Sequence, residues 1–261
     1  GELLGAPLGA VAHAIGTEIV FGLVCVAAVT LISIALTIPD AAEAAGQPLR
    51  QALGRMRSSR VPRAAVILTA PSIAFGLVVV VAPLRMDDLG STPFLIAAAF
   101  AAGSVVEAVI GPIIGRISDR IGRTGPYVIG AAASSVAVIV LGAADLLPVL
   151  SAAVVLAAFG AGMSFTPGST LMSEVATAAG VNQGYASGAS NVAWGGGQTI
   201  GAIAGGLIAG AAGFLVPCLL TAAVLLGAAA LARATPEPTI ERDALARVDD
   251  GAETVTEGST G

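Results

Sequence analysis

One stretch constrains this chain more than any other. From Val175 to Ala232 there are 58 residues without a single Asp, Glu, Lys or Arg. A soluble domain covers its surface with charge, at about 25 % of its residues. Here charged residues make up 11 % of the 261, hydrophobic residues make up 56 %, and the mean hydropathy is +0.90. So apolar a chain cannot remain disordered, because disorder requires few apolar residues. A disulfide scaffold is excluded as well, since Cys25 and Cys218 are the only cysteines and both lie inside apolar runs. The solvent for most of this chain is lipid.

The charge map counts the crossings. Glu18 to Asp40, Arg63 to Arg85 and Arg123 to Asp145 each enclose 21 uncharged residues, Asp88 to Glu107 encloses 18, and Asp145 to Glu174 encloses 28. A helix crossing the ~30 Å hydrocarbon core needs about 20 apolar residues at ~1.5 Å each. Seven spans follow, near 17–38, 64–84, 94–114, 125–144, 147–168, 184–208 and 213–232. Residues 3–15 are apolar but too short to cross. A β-barrel is excluded, because its strands alternate polar with apolar residues and these runs are apolar on every side. The start is no signal peptide, having neither a basic region nor an initiator methionine. Gly1 therefore reads as a cut into a longer chain, with 3–15 the remnant of a preceding helix.

Arginine sets the orientation. All twelve basic residues are Arg; five lie in the segment 39–63 (Arg50, Arg55, Arg57, Arg60, Arg63) and three in 115–124 (Arg116, Arg120, Arg123). Alternate threading puts both segments and the tail after Ala232 on one side, leaving only Arg85 opposite. Positive loops resist translocation, so that side is expected to be the cytoplasm. Residues 234–261, with Pro236, Pro238 and scattered acids, read as a disordered cytoplasmic end. No phosphate loop, zinc spacing or basic nucleic-acid patch is present, and no nucleophile–base pair or metal cluster points to an enzyme. Neither cofactor, metal nor nucleic acid is expected.

The strongest motif stands between two spans, as Gly111-Pro112-Ile113-Ile114-Gly115-Arg116-Ile117-Ser118-Asp119-Arg120-Ile121-Gly122-Arg123. Gly115 and Gly122 allow a tight reversal at the membrane face, and Asp119 is suited to capping a neighbouring helix N-terminus. The bland reading is a positive loop whose arginines only set topology.

The pattern Gly-x3-Asp-Arg-x-Gly-Arg resembles the signature loop of the major facilitator superfamily, which carries it between its second and third helices and, in weaker form, between the eighth and ninth. Gly1-Glu2-Leu3-Leu4-Gly5-Ala6-Pro7-Leu8-Gly9-Ala10 is loosely similar to an element of the family's fifth helix, with Pro7 one place late and Ala10 for a glycine. The stretch 39–63 resembles the long central cytoplasmic loop, and six spans follow it. The resemblance implies an all-α membrane protein, a polytopic helical bundle running from the end of the fifth helix through the twelfth. Its parts are then 1–38, the end of the N-terminal half; 39–63, the central loop; 64–233, a six-helix C-terminal half; and 234–261, the tail. The missing N-terminal half of the same chain becomes the expected partner. Gly115, Asp119, Arg120, Gly122 and Arg123 carry the signature, and the partner of Asp119, expected at the cytoplasmic end of the fifth helix, lies outside the chain.

Within the spans the polar residues are informative. Glu107 lies eight residues before Gly115, about 12 Å along a helix. A carboxyl there costs ~2.5–3.5 kcal/mol on insertion scales. It shares an i, i+4 stripe with Gly103, Gly111 and Gly115, a small-residue face suited to close packing. Low dielectric favours the neutral form of a carboxyl, so Glu107 is expected to carry a proton during a cycle; the alternative is a structural acid at a helix interface. Asn191, Trp194 and Gln198 share another helical face, continued by Gly195, Gly201 and Gly205, and Gly195-Gly196-Gly197 weakens the helix there. That face reads either as a pathway lining or as interhelical polar contacts. The resemblance implies that Glu107 and the Asn191 face look onto the central pathway, and that the seventh and tenth helices add Thr69 and Ser72, then Ser164, Thr166 and Ser169. Hydroxyls bonding back to the helix explain these equally well. His13, the only histidine, reads as incidental.

The resemblance points to a secondary transporter working by alternating access, with two helical halves rocking about a midplane site. The loose fifth-helix element resembles drug–proton antiporters, implying efflux of a small organic molecule driven by protons across the plasma (inner) membrane. A facilitator or sugar carrier without proton coupling is the runner-up. A non-transporting accessory protein, or a dimeric half-carrier should Gly1 lie near the natural start, stands apart from both.

Overall fold

The computed structural model describes residues 16–37 and 46–235. The expectations on 1–10, 3–15, His13 and all but the first two residues of the tail lie outside them. Among the described residues there are eight helices and no strand: α1 Thr17–Ala35, α2 Leu49–Ser58, α3 Val61–Asp88, α4 Pro93–Ile121, α5 Thr124–Ala143, α6 Leu147–Ala178, α7 Gln183–Ala212 and α8 Leu215–Arg233. The all-α bundle expected from the sequence is the observed architecture.

Six helices (α1, α3, α4, α5, α6 and α8) are long and apolar enough to cross a membrane. The expected span 184–208 is helical throughout, in the 30-residue α7, but its glycines and amides keep it below the hydropathy of the other six. Four helices outrun their expected ends by a turn or more, two of them by well over a turn. The 94–114 span continues to Ile121, and the 147–168 span continues through Pro167 to Ala178. The ~20-residue rule measures hydrocarbon, whereas a helix stops only where its backbone is interrupted. In α6 the polar extension is compatible with helix because its hydroxyls bond back, Thr170 donating to the Thr166 carbonyl at 2.8 Å and Thr177 to the Ser173 carbonyl at 2.8 Å.

Of the 19 residues in α1, Val20 alone is buried, and its large side chains are exposed. The helices from α3 onward form the packed body. Helix α3 runs through its middle, packing on α6, α7 and α8; α5 packs on α6 and α8, and α4 on α6. Consecutive in sequence, α3 and α4 barely touch. Buried side chains form two clusters. One gathers Leu77, Val81, Met86, Leu141, Leu150 and Leu225. The other gathers Ala52, Ile67, Leu68, Tyr127, Met172 and Ala232 toward the arginine-rich end. There Tyr127 donates its hydroxyl proton to the Ile67 carbonyl at 2.6 Å, satisfying a buried polar group.

Glycine sets the closest approaches. A Cβ on Gly197 would fall on the Ser72 hydroxyl and 2.9 Å from the Thr69 carbonyl oxygen. One on Gly201 would strike the Ile73 backbone, one on Gly205 the Leu77 side chain, and one on Gly76 the Gln198 backbone. The α3–α7 seam is therefore backbone on backbone, the small-residue packing that membrane helices use where lipid removes the hydrophobic drive to associate. Helices α5 and α6 interlock similarly. Ser134 sits over Gly160 and Ser164 over Gly130, and a Cβ on Gly160 would lie 2.7 Å from the Gly130 carbonyl oxygen.

Candidate functional site

Because α3 and α4 diverge, a cavity of about 690 Å³ opens between them, backed by α5 and α6. Its wall is apolar, with Phe75, Val78, Phe94 and Phe100 among its larger side chains; only Ser104, Glu107 and Ser134 bring polar groups to it. The volume lies in the range that holds a small organic molecule, and a mostly apolar wall with few polar groups is the usual make-up of such a site.

Glu107 reaches this wall from the α4–α6 contact. The stripe of Gly103, Glu107, Gly111 and Gly115 lies along Ala158, Gly162 and Thr166 of α6. A Cβ on Gly103 would stand 3.0 Å from that of Ala158, one on Gly162 3.4 Å from Glu107 Cγ, and one on Gly115 3.7 Å from Thr166 Cγ2. Small residues on both helices thus hold the half-buried Glu107 at the cavity edge, where it is the only ionisable residue on the wall among the described residues.

The other expected pathway residues lie elsewhere. Thr69 donates to the Ala65 carbonyl at 2.8 Å and reaches the Ala193 carbonyl across the seam at 3.3 Å, while Ser72 donates to the Thr69 carbonyl at 2.7 Å beneath Gly197. Ser164 is buried against Gly130, Thr166 packs on Gly111 and Gly115, and Ser169 donates to the Thr166 carbonyl at 3.0 Å. None of these five lines the cavity.

The α7 face divides. Gly201 and Gly205 are joined by Gly197 in the buried seam, while Asn191 and Gly195 are exposed. Gln198 is half-buried at the margin, and the helix continues unbroken through the three glycines. Trp194 meets Phe165 of α6 edge-on with centroids 4.5 Å apart, and Phe75 of α3 at 6.1 Å. Phe75 also lines the cavity, so it joins the indole to the cavity wall.

The signature segment differs from the expected loop. Gly115 through Ile121 are helical, so Gly115 serves close packing and the reversal falls on Gly122 alone, at φ +94°. Only glycine takes that conformation without strain. Among the described residues Asp119 caps no neighbouring helix: it is exposed on the last turn of α4, 3.8 Å from Arg123, and no side chain caps the start of α5. Arg123, with its side chain only 13 % exposed, pairs with Glu174 of α6 at 2.6 Å. The signature arginine therefore ties the α4–α5 turn to the end of α6. Glu174 marked only the end of an uncharged run in the sequence; an acid at the same membrane level as the signature arginines was the available signal. A second pair joins Arg85 of α3 to Asp145 of the α5–α6 connection, with the guanidinium 5.3 Å from the Phe214 ring centre.

Metal-ligating side chains form no cluster among the described residues. A search of curated proteins finds no match to the chain. Residues 64–255 match the sequence model of the Major Facilitator Superfamily, a span that begins within α3 and takes in the cavity, the signature turn and the α3–α7 seam. An all-α bundle in which six of the described helices are long and apolar enough to cross a membrane, together with that match, makes this chain an integral, multi-pass membrane protein that belongs to the Major Facilitator Superfamily of transporters.

Proposed function

We propose that the chain belongs to a proton-coupled exporter of small organic molecules, working by alternating access. The observation that carries this reading is Glu107, the sole ionisable residue on the wall of an otherwise apolar cavity of about 690 Å³. An apolar wall suits a lipophilic substrate, and one carboxyl beside it is the simplest means of exchanging a proton against that substrate. Phe75 and Trp194 supply aromatic surface next to it. In this reading the body from α3 to α8 rocks as one half against an N-terminal half, and the Asp119–Arg123–Glu174 group holds the cytoplasmic end of the half together. The arginine-rich side faces the cytoplasm of the plasma (inner) membrane and the C-terminus lies there.

The test is transport by full-length protein in proteoliposomes, using a panel of fluorescent lipophilic compounds that includes ethidium, with and without an imposed pH gradient. Proton-driven export requires that the gradient accelerate accumulation and that Glu107→Gln abolish this acceleration while leaving equilibrium binding in place. Equal rates for both proteins, with and without a gradient, would indicate a facilitator or sugar carrier. Binding without movement in either protein would favour the accessory role.

A further inference from the structure

We propose that α2 is a binding surface for the anionic headgroups of the bilayer, held in place by the α6–α7 connection. Helix α2 is latched to the body along one edge. Gln47 donates to the Gly180 carbonyl at 3.0 Å and accepts from the Asn182 amide at 2.8 Å, Tyr185 donates to the Gln47 carbonyl at 2.9 Å, and Arg55 donates to the Gly180 carbonyl at 2.5 Å. Ala52 is fully buried and Met56 partly so, both within the cluster at this end of the bundle.

The other edge is left uncovered. At 100° per residue, Ala52, Met56, Leu49 and Leu53 follow one another round the helix as a single apolar sector, with Arg57 and Arg50 next. Ala52 and Met56 face the body, while Leu49 and Leu53 are 57 % and 55 % exposed beside the exposed Arg50 and Arg57. Among the described residues neither arginine has an ion-pair partner, and the sequence holds no acid between Glu43 and Asp87. Two residues, Ser59 and Arg60, separate the last residue of α2 from α3, a helix long and apolar enough to cross a membrane, so the facing ends of the two helices lie within about 11 Å of each other. Two leucines flanked by arginines on a helix joined so closely to a span match what an anionic interface offers: hydrocarbon for the leucines and phosphate for the guanidinium groups.

The chain holds one competing occupant. Residues 236–261 carry seven acids against two arginines, and so match the charge. Of these 26 residues, however, only Ile240, Leu245, Val248 and Val255 are large and apolar.

The experiment uses full-length protein with Cys25→Ser, any cysteine outside residues 1–261 likewise replaced by serine, and Leu49→Cys, labelled at position 49 with an environment-sensitive NBD dye. Cys218 is fully buried and stays unlabelled. The protein is placed in nanodiscs of phosphatidylcholine alone or with phosphatidylglycerol added. Emission is expected to rise with phosphatidylglycerol and to fall back at about 1 M salt, where the Debye length is about 3 Å. Adding Arg50→Gln and Arg57→Gln should lower the docked-to-undocked ratio by about 30-fold, and both exposed changes should leave the thermal unfolding midpoint in place. Emission equally dim, or equally bright, in both discs overturns the proposal. So does emission that responds to removal of residues 236–261 and not to phosphatidylglycerol, which assigns the surface to the acidic tail.

Discussion

Helix α3 has two sides built on opposite principles. Toward α7, Gly76, Gly197 and Gly201 let backbones touch, nothing larger than hydrogen fits at those positions, and Gly205 leaves room for the Leu77 side chain. Toward α4, Phe75, Val79, Phe94 and Phe100 line a gap of about 690 Å³ between the helices. Both sides are apolar, so hydrophobicity does not distinguish them. Side-chain volume does: in lipid, helices associate through close packing at small residues, which the α7 side offers in its glycines and the α4 side does not. A single helix thereby forms a rigid seam on one face and a ligand-sized space on the other.

The largest expected effect comes from breaking the seam. Gly201→Leu drives a side chain into the Ile73 backbone, which cannot move aside, and should cost about 3 kcal/mol or more, with loss of the folded protein in a detergent thermal-unfolding assay. A midpoint unchanged from the parent would mean that α3 and α7 are not in contact. An intermediate effect is expected at the polar tie outside the seam. Glu174→Gln leaves the mostly buried Arg123 facing a neutral partner and should destabilise by about 1–3 kcal/mol, raising proteolysis at the α4–α5 turn. A smaller loss, under ~1 kcal/mol, would place Arg123 among ordinary surface pairs. The smallest effect on stability belongs to the cavity side. Ala97→Phe adds a ring where space exists and should shift stability by less than ~1 kcal/mol, while lowering binding of whichever panel compound the parent protein takes up. Strong destabilisation there would show the two sides of α3 to be equally tight.

Much of this arrangement was legible beforehand. Uncharged runs of 18 to 28 residues located the helices, because hydrocarbon thickness sets their minimum length. The stripe at Gly103, Glu107, Gly111 and Gly115 could be read from its four-residue spacing. The ends were less legible, since a helix such as α6 carries on past its apolar run, its hydroxyls donating to carbonyls of the preceding turn. The reversal was narrowed to two glycines but not to Gly122, because a glycine is identical in sequence whether it turns the chain or lets another helix approach.

What the sequence determined by itself is the solvent, the helical class, the signature segment and the presence of one acid on a small-residue face. These follow from composition and short-range spacing, which act along a single helix. Only the tertiary structure decided that Gly197, Gly201 and Gly205 face α3 while Asn191 and Gly195 stay open, that Arg123 pairs with Glu174 some fifty residues on, and that neighbouring α3 and α4 diverge. Helical periodicity reveals which residues share a face. Which neighbour that face meets depends on how all the helices pack together, and no local pattern carries that information.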